Sequence, residues 1–349
     1  MAQWNDLRSM NMEELTEALV RQGDKKFRAK QIYGWVHQKL VRDPSEMTNV
    51  PGKCISKLLE DHPWYGVKQV ERYISKIDGT EKFVFELYDG NLIESVLMRY
   101  HHGNSVCISS QAGCRMGCRF CASTLLGLSR NLYPSEMLDQ IYAISRATGE
   151  RVSHVVVMGT GEPLDNYEAL GRFLEMISDD KGLNISRRDL TVSTCGIVPN
   201  IYHFAEDYPQ VTLAISLHAP NDEKRRKLMP IANKYTISEL MEAARYYVNK
   251  TSRRITFEYS LVKDQNDSRE DARELIDLVS GLNCHVNLIP VNPIKERDYR
   301  QSEQDHVQHF KRMLEKEHIQ VTVRREMGRD IQAACGQLRK AYKERRDEQ

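Results

Sequence analysis

Cys114, Cys118 and Cys121 stand at CxxxCxxC spacing within one eight-residue stretch. Thiolates hold soft metal centres, and protein iron–sulfur clusters are held mainly by cysteine. A cubane [4Fe–4S] cluster has four irons, so three thiolates leave one iron open to a small molecule. An α-amino acid can chelate such an iron through its amine and carboxylate. A structural zinc site is a competing reading, but it wants a fourth ligand, usually from a second CxxC or a His pair. No second such pair follows, although His101, His102 or His154 could supply one ligand. Three unrelated core cysteines packing as small hydrophobes are the third reading.

Other chemically able residues sit at intervals along the chain. Cys107 precedes the first of the three cysteines by seven positions, and its plain reading is a core strand residue. Glu94 lies among Ile93, Val96 and Leu97 and reads, by position alone, as an outward-facing strand residue. Gly159-Thr160-Gly161-Glu162-Pro163 is a short glycine loop. Glycine permits close backbone approach to a ligand, and the Glu162 carboxylate could accept from an amine. Small polar groups close three apolar runs: Ser193, Ser216-Leu217-His218 and Asn292. They suit ribose, carboxylate or adenine contacts, and individually each is also ordinary turn chemistry. Cys335, in Ala333-Ala334-Cys335-Gly336-Gln337-Leu338, and Cys54, Cys195 and Cys284 read as structural thiols.

The pattern around these residues predicts the elements that carry them. Asn11 and Glu14 form a capping box ahead of a helix bearing Leu15, Leu19 and Val20. A second helix carries Phe27, Ile32 and Val36 with Lys25, Lys26, Arg28, Lys30, Lys39 and Arg42 around it; a third runs from Pro51 to His62. Charged faces are usually only solvated, but this one could also contact phosphate. Glu81 to Leu87 alternates, Asp89-Gly90 marks a hairpin turn, and Leu92 to Met98 returns. Beyond Cys107 strand, loop and helix repeat. Strands are expected at 105–110, 154–158, 189–193, 211–217, 255–261 and 285–289, with a last one at 320–324 after a helix near 307–317. Such alternation argues α/β: a parallel sheet with helices outside, here a partial (β/α)6 TIM-like barrel. Sites on such folds lie at the strand C-terminal ends, and the cysteine loop follows the first strand directly. The expected division is a helical domain at 1–65, a β-hairpin extension at 66–100, the barrel at 101–340 and a charged tail at 341–349.

With 349 residues the chain can bury a large core, and its net charge of +1 excludes a global field that would draw in nucleic acid. Any RNA affinity must come from local basic patches. The first residues lack an apolar signal region and no run approaches a membrane span. Eight cysteines in a chain of this size then read as metal ligands or catalytic groups of a cytoplasmic protein rather than as disulfides.

The three-cysteine spacing, with Phe120 before the last cysteine, resembles the signature of the radical S-adenosylmethionine superfamily. Lys26-Phe27-Arg28-Ala29-Lys30-Gln31-Ile32, Cys107 to Gln111, Gly159 to Leu164, Ser216 to Asn221 and Ala333 to Leu338 occur in order. Together they are similar to the RlmN/Cfr family of RNA methyltransferases over nearly the whole chain. Thr160 stands where methionine is common in that family, and Gln332 where aspartate is common. The resemblance implies a radical S-adenosylmethionine barrel with a [4Fe–4S] cluster on Cys114, Cys118 and Cys121. It implies S-adenosylmethionine bound by Gly161, Glu162, Ser193, Ser216, Leu217, His218 and Asn292.

The same resemblance implies methylation of an adenine in 23S rRNA and in tRNA. Cys335 would accept a methyl group from one S-adenosylmethionine. A second molecule, cleaved on the cluster, would give the radical that activates that methyl for addition to the base. Glu94 would take the proton of the attacked carbon. Cys107 would then release the product by forming a transient disulfide with Cys335. The family methylates either C2 or C8; Pro163 after Glu162, Cys121 to Thr124 and Arg130 to Leu132 favour C2. An electron donor such as flavodoxin and a monomeric state complete the expectation. Two readings of other classes stand beside it: a zinc-containing RNA-binding protein without catalysis, and a radical enzyme acting on a small molecule.

Overall fold

The capping box at Asn11 forms as the sequence requires. Its side chain accepts from the Glu14 N–H at 2.9 Å, and Glu14 returns a carboxylate oxygen to the Asn11 N–H at 2.9 Å. The computed structural model describes residues 4–292 and 297–331. Three helices open the chain: α1 (Met12–Arg21), α2 (Phe27–His37) and α3 (Gly52–Asp61). Lys25, Lys26, Lys30, Lys39 and Arg42 are exposed, whereas Arg28 pairs with Asp24. The Lys39 ammonium lies 3.4 Å from the Trp35 ring centre.

One ten-stranded sheet follows. Its edge is an antiparallel meander of β1 (Lys68–Ile74), β2 (Glu81–Glu86), β3 (Leu92–Tyr100) and β4 (Gly103–Ile108). A short antiparallel pair, β5 (Gln111–Gly113) and β6 (Leu128–Asn131), brackets the cysteine loop. The remaining strands β7 (His154–Val157), β8 (Leu190–Thr194), β9 (Thr212–Ser216), β10 (Ile255–Leu261), β11 (Cys284–Pro290) and β12 (Gln320–Val323) run parallel to β4, in chain order. Helices α4 (Pro134–Thr148), α5 (Tyr167–Ile177), α6 (Val198–Asp207), α7 (Asp222–Leu228), α8 (Ile237–Thr251), α9 (Arg269–Val279) and α10 (Gln304–Lys316) connect them. The β1-to-β12 order ends on two open edges, so the barrel is partial.

Strand alternation sorts the two sheet faces. Val106, Val155, Val192, Ile215, Phe257 and Leu288 join the main core. Burying each contributes about 1.5–3 kcal/mol. Glu94, Val96, Cys107, Val156, Ser193 and Ser216 alternate with such residues and take the opposite, inner face. No helix among the described residues is long and apolar enough to cross a membrane.

The elements depart from the sequence expectation at several points. The first barrel strand begins at Gly103, not Ser105, because Gly103 already pairs with Tyr100 across the β3–β4 turn. The β5–β6 pair was not expected; it is too short to show a period. The helix α7 is not among the expected elements; its run Lys224-Arg225-Arg226-Lys227 masks its two buried residues, Arg225 and Leu228.

The N-terminal helices are bolted to the barrel by buried charge. Arg8 Nη2 lies 2.5 Å from Asp139 Oδ1, both side chains almost fully buried. Asp139 also accepts from the Val67 N–H at 2.7 Å and from Arg146 at 3.2 Å. Burial alone would raise the Asp139 carboxyl, but the Arg8 charge and hydrogen bond overcome it and hold the group below its ordinary range. Arg8→Met leaves that carboxylate buried with poorer compensation. It should cost about 3–5 kcal/mol, read as a drop in unfolding midpoint. The depressed carboxyl makes the pair's contribution fully present above roughly pH 4 and lost as pH falls further. The variant should therefore lose part of this acid dependence.

Candidate active site

The cysteine loop is shaped by its backbone. Cys114 leaves β5 with its N–H on the Gly127 carbonyl at 3.1 Å. Gly117 turns the chain with φ +71°, where a side chain would be strained. The Cys121 N–H bonds the Cys118 carbonyl at 3.1 Å, and the Thr124 hydroxyl donates to both carbonyls. The Arg119 N–H bonds Leu228 O at 2.9 Å, fixing the loop to the end of α7. Cys118 and Phe120 pack into an apolar pocket with Cys195, Ala219, Leu228 and Met229.

Burial pushes the Cys114 thiol up to about 12, and the charge of Cys121 adds to the rise. Burial raises Cys118 as well, with Cys121 and Cys114 pushing the same way. Cys114 and Cys118 therefore sit in poorly solvated surroundings near Cys121, where a cation would favour their thiolates. Beside them lies Arg225, fully buried. Its Nε and Nη2 bond the carbonyls of Leu217 at 3.1 Å, Cys195 at 2.7 Å and Ser216 at 3.3 Å. Its Nη1 has no hydrogen-bond acceptor among the described residues. An anionic cluster on three thiolates would answer that spare N–H, so the donor set fits a [4Fe–4S] group. Among the described residues no three His, Cys, Asp or Glu side chains gather as ligands of a single ion.

The glycine loop after β7 crosses close behind. Gly161 has φ +113°, and a Cβ there would lie 2.6 Å from Gln111 Cβ and 2.8 Å from its N. Only glycine allows that approach. Glu162 is buried and its carboxylate serves the protein itself. Oε1 accepts from the Leu164 N–H at 3.0 Å and the Thr194 hydroxyl at 2.8 Å; Oε2 accepts from the Cys195 N–H at 2.7 Å. Burial raises its pKa while these bonds oppose the rise. The carboxylate thus joins the ends of β7 and β8, with limited acceptor capacity left for an amine.

At the end of β9, His218 takes a left-handed backbone, φ +56°. Its Nδ1 accepts from the Ser260 N–H at 2.9 Å, and the buried Asn266 amide donates to its carbonyl at 2.7 Å. Burial lowers the imidazole to about 3, so it is neutral and carries its proton on Nε2. The ring meets Phe120 edge-on at 4.8 Å. Ser193, Ser216 and Asn292 are partly exposed at strand ends on this face. Leu217 differs: its side chain sits in the main core and its N–H bonds Glu258 O at 3.0 Å.

Glu94 corrects the sequence expectation. It is not outward-facing but buried, 3% exposed, with Oε2 at 2.8 Å from the Lys82 ammonium. The strand period was right, but β2 and most of β3 are covered on both faces, so neither face of β3 at Glu94 is free for solvent. Val96, two residues on, pairs with Cys107 on β4. Cys107 forms a small cluster with Val96 and Met98, against which Val156, Met158 and Ile331 pack. Glu94 and Cys107 therefore share the inner face of adjacent strands. Cys335 lies outside the described residues, as does the tail at 341–349; Ile331 stands four positions before Cys335. Lys82, Arg225, Gln111 and Asn266 were missed from sequence. Only the first had a usable signal, a lysine in an otherwise apolar alternating run.

Comparisons with known proteins agree with this geometry. A model of the Radical SAM superfamily matches residues 108–279, and one of the ribosomal RNA large subunit methyltransferase N-terminal domain matches residues 5–62. A protein of Lachnospira eligens named "Probable dual-specificity RNA methyltransferase RlmN" is 60% identical over 98% of both chains. A protein of the same name from Lachnoclostridium phytofermentans is 59% identical over 97% of this chain and 95% of its own. The crystal structure of a radical SAM methyltransferase from Sphaerobacter thermophilus superposes with a TM-score of 0.91 at 41% identity, covering 95% of this chain and 98% of that one. Sequence, fold and cysteine loop converge: the chain belongs to the RlmN family of dual-specificity RNA methyltransferases, within the radical SAM superfamily.

Proposed function

We propose that this chain methylates C2 of an adenine in 23S rRNA and in tRNA, with Cys335 carrying the transferred carbon. One observation carries the reading: Glu94 and Cys107 lie on neighbouring strands of one inner face, and Ile331, four positions before Cys335, packs against the small cluster of Val96, Met98 and Cys107. Adenine C2 is electron-poor and is a poor nucleophile toward a sulfonium; a thiolate is a good one. The bound cluster and S-adenosylmethionine supply the methyl groups and the one-electron chemistry. Cys114, Cys118 and Cys121 would hold the cluster. Gly161, Glu162, Ser193, Ser216, His218 and Asn292 would surround S-adenosylmethionine, with Leu217 acting through its place at the strand end.

The remaining work falls to three side chains. Cys335 carries the methyl group and becomes linked through it to the base. Glu94 accepts the proton of the attacked carbon. Cys107 displaces the product from the Cys335 sulfur. The exposed lysines of the first 65 residues would hold the RNA backbone, since a base must leave its stack to reach a barrel mouth. Residues 66–100 would supply Glu94, and 101–340 the barrel. The chain would work as a cytoplasmic monomer supplied with electrons by a flavodoxin-like donor.

C8 methylation by the same residues is the second reading, and Pro163 speaks for C2. Pro163 opens the short turn after Glu162 that sets the loop behind the cysteines. RNA treated with reconstituted protein should yield 2-methyladenosine by nucleoside mass spectrometry. 8-Methyladenosine as the main product would overturn the choice of carbon. A colourless protein holding zinc would overturn the enzyme reading itself.

A further inference from the structure

The β2–β3 hairpin buries an ion pair between Lys82 and Glu94. Lys82 is wholly buried and Glu94 nearly so, with 2.8 Å between Nζ and Oε2. In register, Lys82 faces Val96 and Val84 faces Glu94, so the pair lies diagonally across two strands on one face. Val96 in turn faces Cys107. Lys82, Val96 and Cys107 thus form one row across three strands, with Glu94 in the adjoining row. The surroundings are apolar: Val84 and Leu92 on one side, Val96 and Met98 on the other.

Burying two charges costs more than their attraction returns unless the geometry is excellent, and an apolar pair of similar size is often no less stable. The Arg8–Asp139 pair joins separate elements, the N-terminal segment and α4. Lys82 and Glu94 join strands that the backbone ladder already holds. What the ammonium does provide is a fixed place for one carboxylate oxygen beside Cys107.

We propose that Lys82 is the positioning residue for Glu94, holding its carboxylate on the inner face where it takes the proton of the substrate base. This rests on the reading of Glu94 as that proton acceptor. The proton moves from the base carbon to Glu94, the C–H electron pair stays with the ring, and the unpaired electron left by radical addition would pass to a one-electron acceptor, the iron–sulfur group that the proposed reading supplies. Lys82 transfers nothing; without it a buried carboxylate would turn away, take up a proton beforehand or draw in water.

The test uses full-length, cluster-loaded protein in four forms: parent, Lys82→Met, Glu94→Gln and the double variant. Each is measured for RNA product, S-adenosylmethionine cleavage, nuclease-sensitive mass carried by the protein, and unfolding midpoint. Lys82→Met should lose about 10²-fold or more in product, retain cleavage and hold RNA covalently, as Glu94→Gln does. Lys82→Arg should recover part of the loss. The double variant should turn over no worse than Glu94→Gln and unfold at a higher temperature than Lys82→Met, because no charge is left buried alone.

Product formation by Lys82→Met within about threefold of the parent would overturn the proposal, since a positioned base is worth at least 10²-fold. So would a further loss on adding Lys82→Met to Glu94→Gln. If Lys82→Met does not fold, a folded double variant supports the proposal and an unfolded one overturns it. Normal turnover by Glu94→Gln would remove the base assignment itself, an outcome distinct from normal turnover by Lys82→Met alone.

Discussion

Cys118→Ala protein is expected to come through reconstitution without bound iron and without detectable cleavage of S-adenosylmethionine. The loop should survive the change. Its shape rests on the Cys121 N–H to Cys118 carbonyl bond, the Thr124 hydroxyl and the Arg119 N–H on Leu228, none of which uses the Cys118 sulfur. The packing lost against the pocket of Cys195, Leu228 and Met229 is small, and point substitutions centre near 1 kcal/mol. A folded, colourless protein would therefore report the loss of a ligand rather than of a fold. Cys114→Ala and Cys121→Ala should behave alike. Cys195 is the sharpest control, because it is buried in the same apolar pocket and its thiol, raised by burial, feels the charges of Cys118 and Cys114. Cys195→Ala should keep its iron. Iron lost with Cys195 would mean a cluster closed by four thiolates, with no open position, and a Cys118→Ala protein that still cleaves S-adenosylmethionine would remove the ligand assignment.

What the sequence disclosed follows from how local each signal is. The three-cysteine spacing and the capping box at Asn11 are complete within a few residues, so both were legible without the fold. Strands β8 to β11 were placed within about two residues, the usual margin at strand ends, because each is an apolar run bounded by polar turns. Glu94 was misplaced because strand period gives which residues share a face, not whether that face is covered. Its burial depends on the rest of the sheet and on Lys82, twelve residues earlier on another strand. Arg225 was hidden more deeply. It sits in a run of four basic residues that reads as a solvated helix face, yet it alone turns inward to the carbonyls of Cys195, Ser216 and Leu217. Glu162 was expected at the amine of a ligand. In the structure it also holds two strand ends together, a use that requires β8 to be in place.

Cys107→Ala should yield protein that arrives from the cell with RNA covalently attached. On the proposed reading Cys335 becomes joined through its methyl carbon to the adenine, and release would then require a nucleophile at the Cys335 sulfur. Thiol–disulfide chemistry supplies one: a second thiolate forms the S–S bond, the S–C bond breaks, and the leaving electron pair stays with the carbon, which takes a proton to become the methyl group. An external two-electron reductant then restores both thiols. Cys107 is suited by place. It lies on β4, facing Val96, in the small cluster that includes Ile331. Alanine removes the nucleophile and little else, since the site is a strand interior whose ladder bonds do not involve the side chain. The cluster, cleavage of S-adenosylmethionine and formation of the link should all persist. Product should fall by orders of magnitude, and a nuclease-sensitive mass should remain on the protein. Cys54→Ala and Cys284→Ala, both at buried positions away from this row, should release RNA normally. Glu94→Gln should stall one step earlier, with the proton still on the base carbon, so the two trapped species differ in the nucleoside recovered after digestion. A Cys107→Ala protein that turns over freely and carries no RNA would return Cys107 to the core of the strand and leave release to another group.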